Sequence, residues 1–577
     1  MTRADERAGG VRAPVADSLL QCDVLVVGSG SAALSAALAA AAAGLKVLIV
    51  EKAAVLGGTS AMSGGAVWVP ANHHALARGV EDSPREALAY LRATAPAGWR
   101  ATEDRLWAQF AFYAPEMLRF LETHTPLRFA LTPEADPLMD CAGAKAFGRM
   151  LTPDPLRAGV LGKERRPIRR SPLPQVYTYL EVIGEDIYHH PCRVALKLAP
   201  RLLWRCLTRT RTKGAALITG LLAGCLAKGC RIETSARVID LITDARGAVT
   251  GAWFSRNGRL TRVTAGRGVV LASGGFEWDA LRRAAHFPGP FDAISSPRTN
   301  EGDGHRMAQA AGARLAHMDQ ANMSGSLPTR YEGRPYGLSV FFQYEPNAIL
   351  VNRDGLRFTN EFAFNLGEAL DAREEPGGLP QHLPAWLIAD ARLLWRAPIV
   401  LACALRSRGW MRMAPTLGAL AVKLGLPPAA LEQTVTRFNR FCATGVDEDF
   451  NRHQAHGHGK GDRRFHGGLM NIKQAPFVAV PFNRSFTATK GGPRTDEFGR
   501  VLHLDGHVIP GLFCAGVAMA NPIGTRGVGA GTTLGPNLTW GYICGRTLAA
   551  GAIPLAGDMF SPAAGGIAPA NEPTELL

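Results

Sequence analysis

No stretch of this 577-residue chain reaches the about 18 uninterrupted apolar residues that a membrane-crossing helix needs. The longest candidate, residues 214–227, is too short. The first 21 residues lack the apolar core of a secretory signal; they are polar, carry Gly9, Gly10 and Pro14, and read as a disordered leader. Residues 557–577 read as a matching tail. Ten cysteines are scattered with no CxxC pair and no metal-like spacing, which points to free thiols in a reducing cytoplasm. Cys514 accordingly reads as a small core residue. No internal repeat is visible. Basic and aromatic residues are not interleaved as a nucleic-acid module requires, so no nucleic acid is expected as a partner.

What is present is a globular composition, 47% apolar and 20% charged, with a net charge of +15 spread unevenly. Residues 163–213 hold twelve Lys/Arg against four Asp/Glu. Arg193, Lys197, Arg201, Arg205 and Arg209 recur every fourth residue, with Leu196, Leu202, Leu203, Trp204 and Leu207 between them. On a helix this forms a drifting basic stripe, which Pro200 would kink. The stripe fits a solvated helical face or peripheral contact with an anionic membrane through residues 193–213.

Both ends of the chain carry nucleotide-site character. Residues 23–27 form a short apolar run suited to a buried parallel strand. Gly28 and Gly30 allow a tight turn and close approach to a pyrophosphate, and Ala33 fills the third position of G-x-G-x-x-G/A. The alanine-rich stretch that follows is a strong helix former whose N-terminus, at Ser31 and Ala32, favours phosphate. Gly44 ends it, residues 46–50 form a second strand, and Glu51 with Lys52 stands where an acid binds ribose hydroxyls. Residues 511–516 and 524–536 supply the second half near the C-terminus, through Gly516, Thr533 and Leu534. Between them, residues 214–228 read as a helix. Residues 235–275 read as three strands with a tight turn at Asn257-Gly258. These strands bring Val238, Ala272 and Gly274 to the nucleotide. Residues 384–442 read as helix-rich. The stretch 453–466 holds histidines that can recruit a metal and glycines and charges that make a surface loop; no metal site is assigned.

The expected organisation is α/β: a discontinuous Rossmann-like nucleotide domain (residues 22–295 and 481–556) interrupted by an α+β substrate-binding or capping domain (residues 296–480).

The segments 28–70, 349–361, 416–450, 489–516 and 529–546 resemble the flavoprotein superfamily of fumarate reductases and 3-oxosteroid dehydrogenases. TKGG at 489–492 and the TLGP ending at 533–536 favour the 3-oxosteroid Δ1-dehydrogenase side. The resemblance implies FAD rather than NAD. Gly57, Gly58, Thr59 and Ser60 independently offer donors soon after the ribose acid, with Ser63, Gly64 and Gly65 beyond them. No second dinucleotide fingerprint exists for NADPH, and the physiological electron acceptor is unknown. Respiratory relatives attach FAD through a histidine at the position of Gly58, so non-covalent FAD is expected.

The catalytic residues of the family do not carry over cleanly. The resemblance calls for tyrosine in the glycine loop, where Gly527 and Val528 stand. It calls for tyrosine after the Asn360-Glu361 pair, where Asn365 stands beside Phe364, and in a stretch here replaced by residues 135–144, which contain none. The Δ4(5α) branch places tyrosine and serine at Val528 and Ala530. The fumarate branch places a proton-donating arginine at Asn365 and a histidine at Ala488. Arg526 echoes a carboxylate-binding arginine of those reductases, and equally fits packing or pairing with a loop acid. Tyr331, Tyr336 and Tyr344 remain for proton transfer, Tyr344 first, with His305 as a further candidate. The Gly531 N–H can bind a substrate oxygen. The expected activity is FAD-dependent α,β-dehydrogenation of a cyclic hydrophobic 3-oxo compound such as a 3-oxosteroid. The alternatives are an ene-type reductase of an unsaturated carboxylate and a catalytically silent steroid-binding flavoprotein.

Overall fold

A computed structural model describes residues 18–164, 166–454, 468–551 and 553–556. An eight-stranded sheet organises the nucleotide domain. Along its main path the strands run Arg500–Leu502, Val508–Cys514, Arg259–Leu271, Ser18–Val27, Val47–Val50 and Arg231–Glu233. Four of its five pairings are parallel, and the central runs 24–27, Val47–Val50 and 269–271 are apolar and buried throughout, with helix Ser31–Ala42 packed on them. Ser18–Val27 begins earlier than the sequence suggests: Ser18 to Gln21 already pair with Thr261 to Thr264, so the disordered leader does not extend to residue 21. Polar Gln21 hid this, since an edge extension needs no apolar run. The three strands expected over 235–275 form Ala236–Thr243, Val249–Arg256 and Arg259–Leu271. Asn257 and Gly258 both take positive φ at the hairpin between the last two.

Helix Ser31–Ala42 is buried along nearly its whole circumference, which explains why it shows no polar face. The sheet lies on one side, and the helices Lys213–Ala227 and Leu534–Ala550 cover the others. The C-terminal helix reaches this close through glycine. A Cβ at Gly541 would meet Ala32 O at 2.2 Å, and one at Gly545 would meet Ala36 O at 2.5 Å. Ser35 Oγ donates to Leu538 O at 2.7 Å. The chain ends are thus joined by backbone-to-backbone packing.

The interrupting region carries an antiparallel sheet in the order Ala348–Val351, Trp386–Ala389, Phe477–Pro481, Arg412–Ala414. Two of these strands fall in the stretch expected to be helix-rich, which the structure corrects to a mixture of strands and helices. Helices Leu417–Leu424 and Pro428–Thr444 pack against this sheet. A second sheet, Phe291–Ile294, Arg484–Thr489 and Ala321–Ser324, takes strands from both sides of the expected boundaries at 295/296 and 480/481. Most of the histidine-rich stretch (455–466) and the tail 557–577 lie outside the described residues.

The basic stripe does not form one helix. Pro191–Lys197 ends at Leu198 and Ala199–Leu207 begins anew with Pro200 in its first turn, where proline is tolerated. Lys197 pairs with Glu185, and Arg205 with Glu181. Arg209 sits outside the helix at φ 50°. No helix among the described residues is long and apolar enough to cross a membrane.

Candidate active site

The two chain ends converge on a solvent-open cleft enclosing about 1100 Å³. Gly28, at φ 109°, marks the closest approach: a Cβ there would stand 2.4 Å from Ala272 O. The free N–H groups of helix Ser31–Ala42 follow, with Gly30 at its N-cap. Ser31 N and Oγ contact Ser60 Oγ at 3.2 and 3.0 Å, which seats the short helix Gly58–Met62 on the same spot. Glu51 is held from both sides: Ser29 Oγ donates to one oxygen at 2.6 Å and Ala53 N to the other at 2.8 Å. Burial pushes its carboxyl up, against these two bonds.

Of the nucleotide residues read from sequence, Gly28, Gly30, Ser31, Ala32, Glu51, Lys52, Gly58 and Thr59 line the cleft. So do Ser60, Ser63, Val238, Ala272, Gly274, Gly516, Thr533 and Leu534. Gly64 and Gly65 do not. Gly64 faces the Tyr179 ring, 3.4 Å from where its Cβ would be, and a Cβ on Gly65 would meet Lys213 C at 2.5 Å. Lys52 is turned to Glu301 and Asp303 at 3.0 and 2.7 Å, and Arg237 also pairs with Asp303.

The lining also includes residues that sequence reading missed, among them Ser29, Ser273, Asn300, Asp303, Thr487 and Asn537. Asn300 Nδ2 bridges Thr59 Oγ1 and Glu277 Oε1 at 3.1 and 2.7 Å, tying the interrupting region to the cleft. Among these only Ser273 had a signal in the sequence, as the neighbour of Ala272 and Gly274 at the end of the third strand. Ser273 Oγ and Asn537 Oδ1 are buried in the cleft wall with no protein partner among the described residues. A Cβ-free cradle, a helix N-terminus, a fixed acid and orphaned polar atoms suit the pyrophosphate, ribose and ring edges of FAD. Gly58, with no side chain, stands at the position of covalent attachment, so the FAD is held non-covalently.

Beside this cleft the glycine loop is packed shut at two points. A Cβ on Gly527 would meet Phe364 Cε1 at 2.8 Å, and one on Gly529 would meet Trp68 Cδ1 at 2.4 Å. The tyrosine missing from position 527 therefore has its space taken by Phe364. Gly531, at φ 95°, packs on Ala66 and Val67. Among the described residues no protein acceptor meets its N–H.

The candidate side chains named from the sequence are otherwise engaged. Asn365 donates to Thr525 O and accepts from Gly367 N at 2.9 Å. Arg526 is buried over Trp107 and donates to Ile523 O, Leu91 O and Thr94 Oγ1, leaving Nη2 without a partner among the described residues. Burial lowers its guanidinium to about 10. Tyr344 stacks between Phe341 and Phe362, and its hydroxyl reaches only Ala363 O at 3.4 Å. His305 is fully buried, bonded through Nε2 to Gly491 O at 2.8 Å. Tyr331 and Tyr336 bond the carbonyls of Arg170 and Ser295. One phenol the sequence reading passed over, Tyr179, donates to Glu134 Oε1 at 2.9 Å.

The FAD binding domain family profile matches residues 23–534. The chain is 37% identical to 4-oxocyclohexanecarboxylate 2-dehydrogenase of Sinomonas cyclohexanicum over 91% of its own length and 92% of that protein. It is 33% identical to 3-oxosteroid 1-dehydrogenase of Mycobacterium tuberculosis, over 91% and 98%. The crystal structure of 3-ketosteroid delta1-dehydrogenase from Sterolibacterium denitrificans, in complex with 1,4-androstadiene-3,17-dione, superposes with a TM-score of 0.81 at 32% identity, covering 92% of this chain and all of that one. With its FAD cleft intact, the chain belongs to the FAD-dependent dehydrogenases of the 3-oxosteroid 1-dehydrogenase type, flavoproteins of the fumarate reductase superfamily that act on CH–CH bonds.

Proposed function

We propose that this flavoprotein desaturates a cyclic, hydrophobic 3-oxo compound, a 3-oxosteroid above all, at the bond next to the carbonyl. The observation that carries the reading is Gly531, two residues before the cleft-lining Thr533, whose N–H has no protein acceptor among the described residues. Such a donor polarises the 3-oxo group and acidifies the neighbouring C–H. When bound, FAD supplies the acceptor for the two electrons removed. The likeness to the structure in complex with 1,4-androstadiene-3,17-dione supports a ring system of that size.

A second reading is a smaller cyclic ketone bearing a carboxylate. The Sinomonas relative favours it, as does Lys213. That lysine is half-buried, its ammonium lowered by burial, its backbone packed on Gly65, and it has no acid partner among the described residues. The ene-type reduction of an unsaturated carboxylate with Arg526 as clamp has less support, because that guanidinium is buried with its Nε and Nη1 committed to Ile523 and the 91–94 turn. Dye-linked turnover separates these readings. The yellow protein with an artificial electron acceptor is expected to bleach the dye with a 3-oxosteroid, and bleaching only with 4-oxocyclohexanecarboxylate would move the assignment to the second reading. Reoxidation of the reduced protein by fumarate-like acids would favour the reductase. Tight steroid binding with neither reaction would favour a silent binding protein.

We also infer peripheral membrane contact through residues 193–213. Leu196 and Leu207 are 79% and 71% exposed, with Leu203 and Trp204 beside them. Arg193, Arg201 and Arg209 carry no acid partner among the described residues. Flotation with anionic vesicles is expected to carry the protein upward and neutral vesicles to leave it behind; equal recovery with both would end this reading.

A further inference from the structure

The positions where the family pattern puts tyrosine are empty of it, yet a phenol from another part of the chain, Tyr179, packs against Gly64 at the border of the cofactor cleft. Tyr179 opens the helix Tyr179–Gly184. Its segment is fastened to the cofactor cleft: Gln175 Nε2 donates to Ala61 O at 2.8 Å, and Thr212 Oγ1 bonds the carbonyls of Gln175 and Tyr177 at 2.8 and 2.7 Å. The Tyr179 ring stands 3.4 Å from where a Cβ on Gly64 would be, one residue from the cleft-lining Ser63. Its hydroxyl donates to Glu134 Oε1 at 2.9 Å, while Thr132 Oγ1 donates to Glu134 Oε2 at 2.9 Å. Glu134 is only 8% exposed, so this carboxylate is oriented by two hydroxyls in a sheltered site. Tyr344 lies close enough to Tyr179 to feel its charge, but its own hydroxyl has a carbonyl for a neighbour, which cannot take a proton onward.

We propose that Tyr179 is the catalytic residue that takes the substrate's proton, with Glu134 as the positioning group that receives the phenol's own proton. This rests on the dehydrogenase reading above. The C–H bond next to the carbonyl breaks and its electron pair becomes the new C=C bond. The proton goes to Tyr179 Oη as the phenol proton passes to Glu134 Oε1. The hydrogen on the adjacent carbon leaves with its two electrons to FAD, the acceptor this family's activity supplies. Burial and then Glu134 push the phenol well above its ordinary range, which suits an O–H that relays a proton rather than a phenolate that stores charge.

The test is anaerobic stopped-flow reduction of the bound flavin by a 3-oxosteroid or 4-oxocyclohexanecarboxylate, paired with calorimetric binding of the unsaturated product. Tyr179→Phe is expected to slow flavin reduction by about 100-fold or more while product affinity stays within about threefold. Glu134→Gln is expected to slow it comparably, and Glu134→Asp to recover at least about tenfold over Glu134→Gln. Reduction by Tyr179→Phe within about threefold of wild type, or product binding lost in step with rate, would overturn the assignment. An unchanged rate in Glu134→Gln would overturn the relay. If the wild-type flavin is reduced by neither ketone, the dehydrogenase reading itself falls, a result distinct from either variant's failure.

Discussion

At the scale of single residues, absence of a side chain decides more than presence. The step Gly527-Val528 stands where tyrosine is expected, and Phe364 explains it: the ring lies where a Cβ on 527 would go. Gly527→Tyr alone is therefore expected to overpack the loop and lower stability by about 1–3 kcal/mol. Pairing it with Phe364→Ala is expected to restore the melting temperature in part. Equal melting temperatures for the wild type and Gly527→Tyr would show that Phe364 does not hold that space. His305 makes a different kind of test. Burial lowers its imidazole from the ordinary 6.5 to about 4, so the unfolded chain takes up the proton first on acidification. Its contribution is intact above about pH 6.5 and drains as pH falls toward about 4, by about 3 kcal/mol in all. His305→Asn is expected to flatten the loss of thermal stability between about pH 7 and 5; a slope equal to wild type would remove His305 as a source of acid sensitivity. None of this was readable from sequence. The motif marked His305 and Tyr344 as chemical candidates, but burial and partners, which are non-local, assign one to packing and leave the other with only a backbone carbonyl at its hydroxyl.

Among elements, the strands and helices of the nucleotide domain were legible because local signals agree there. An apolar run, two glycines, a helix former and a terminal acid fall in one register over residues 23–51, and Asn257-Gly258 fixes the hairpin. The interrupting region was read less well. Its sheet is built from short strands far apart in sequence, and Trp386–Ala389 cannot be told from helix by periodicity over four residues. What holds that region is a buried charge network invisible in composition. Arg452, fully buried, donates to Ala348 O, Glu345 O and Glu361 Oε2 at 2.6, 2.8 and 3.0 Å, while Arg357 bridges Glu361 and Asp447. Its guanidinium also faces Phe362 at 4.4 Å. Removing one partner of such a network strands the rest, so Arg452→Met is expected to cost about 3–5 kcal/mol in denaturant melts. A cost under about 1 kcal/mol would mean that the network contributes position rather than stability.

For the whole molecule, the separation of the two half-sites by nearly the full chain is resolved by one helix pair. Ser31–Ala42 and Leu534–Ala550 meet through Gly541 and Gly545, so the loop 524–533 arrives beside the strand that starts the fold. Between them the chain crosses out and back through Asn300 and Thr487, both in the cleft wall, which places the interrupting region against the cofactor cleft. The cofactor side of this arrangement was largely present in the glycines and Glu51. The substrate side was not, because Tyr179 and Glu134 come from segments that carry no motif and meet only in the folded chain. The most direct measurement of the central claim is the absorbance of the purified yellow protein on anaerobic mixing with a 3-oxosteroid. Loss of the oxidised flavin band, with an unsaturated ketone as product, is the predicted result. A flavin that stays oxidised with both the steroid and 4-oxocyclohexanecarboxylate, in protein that holds its FAD, would contradict it.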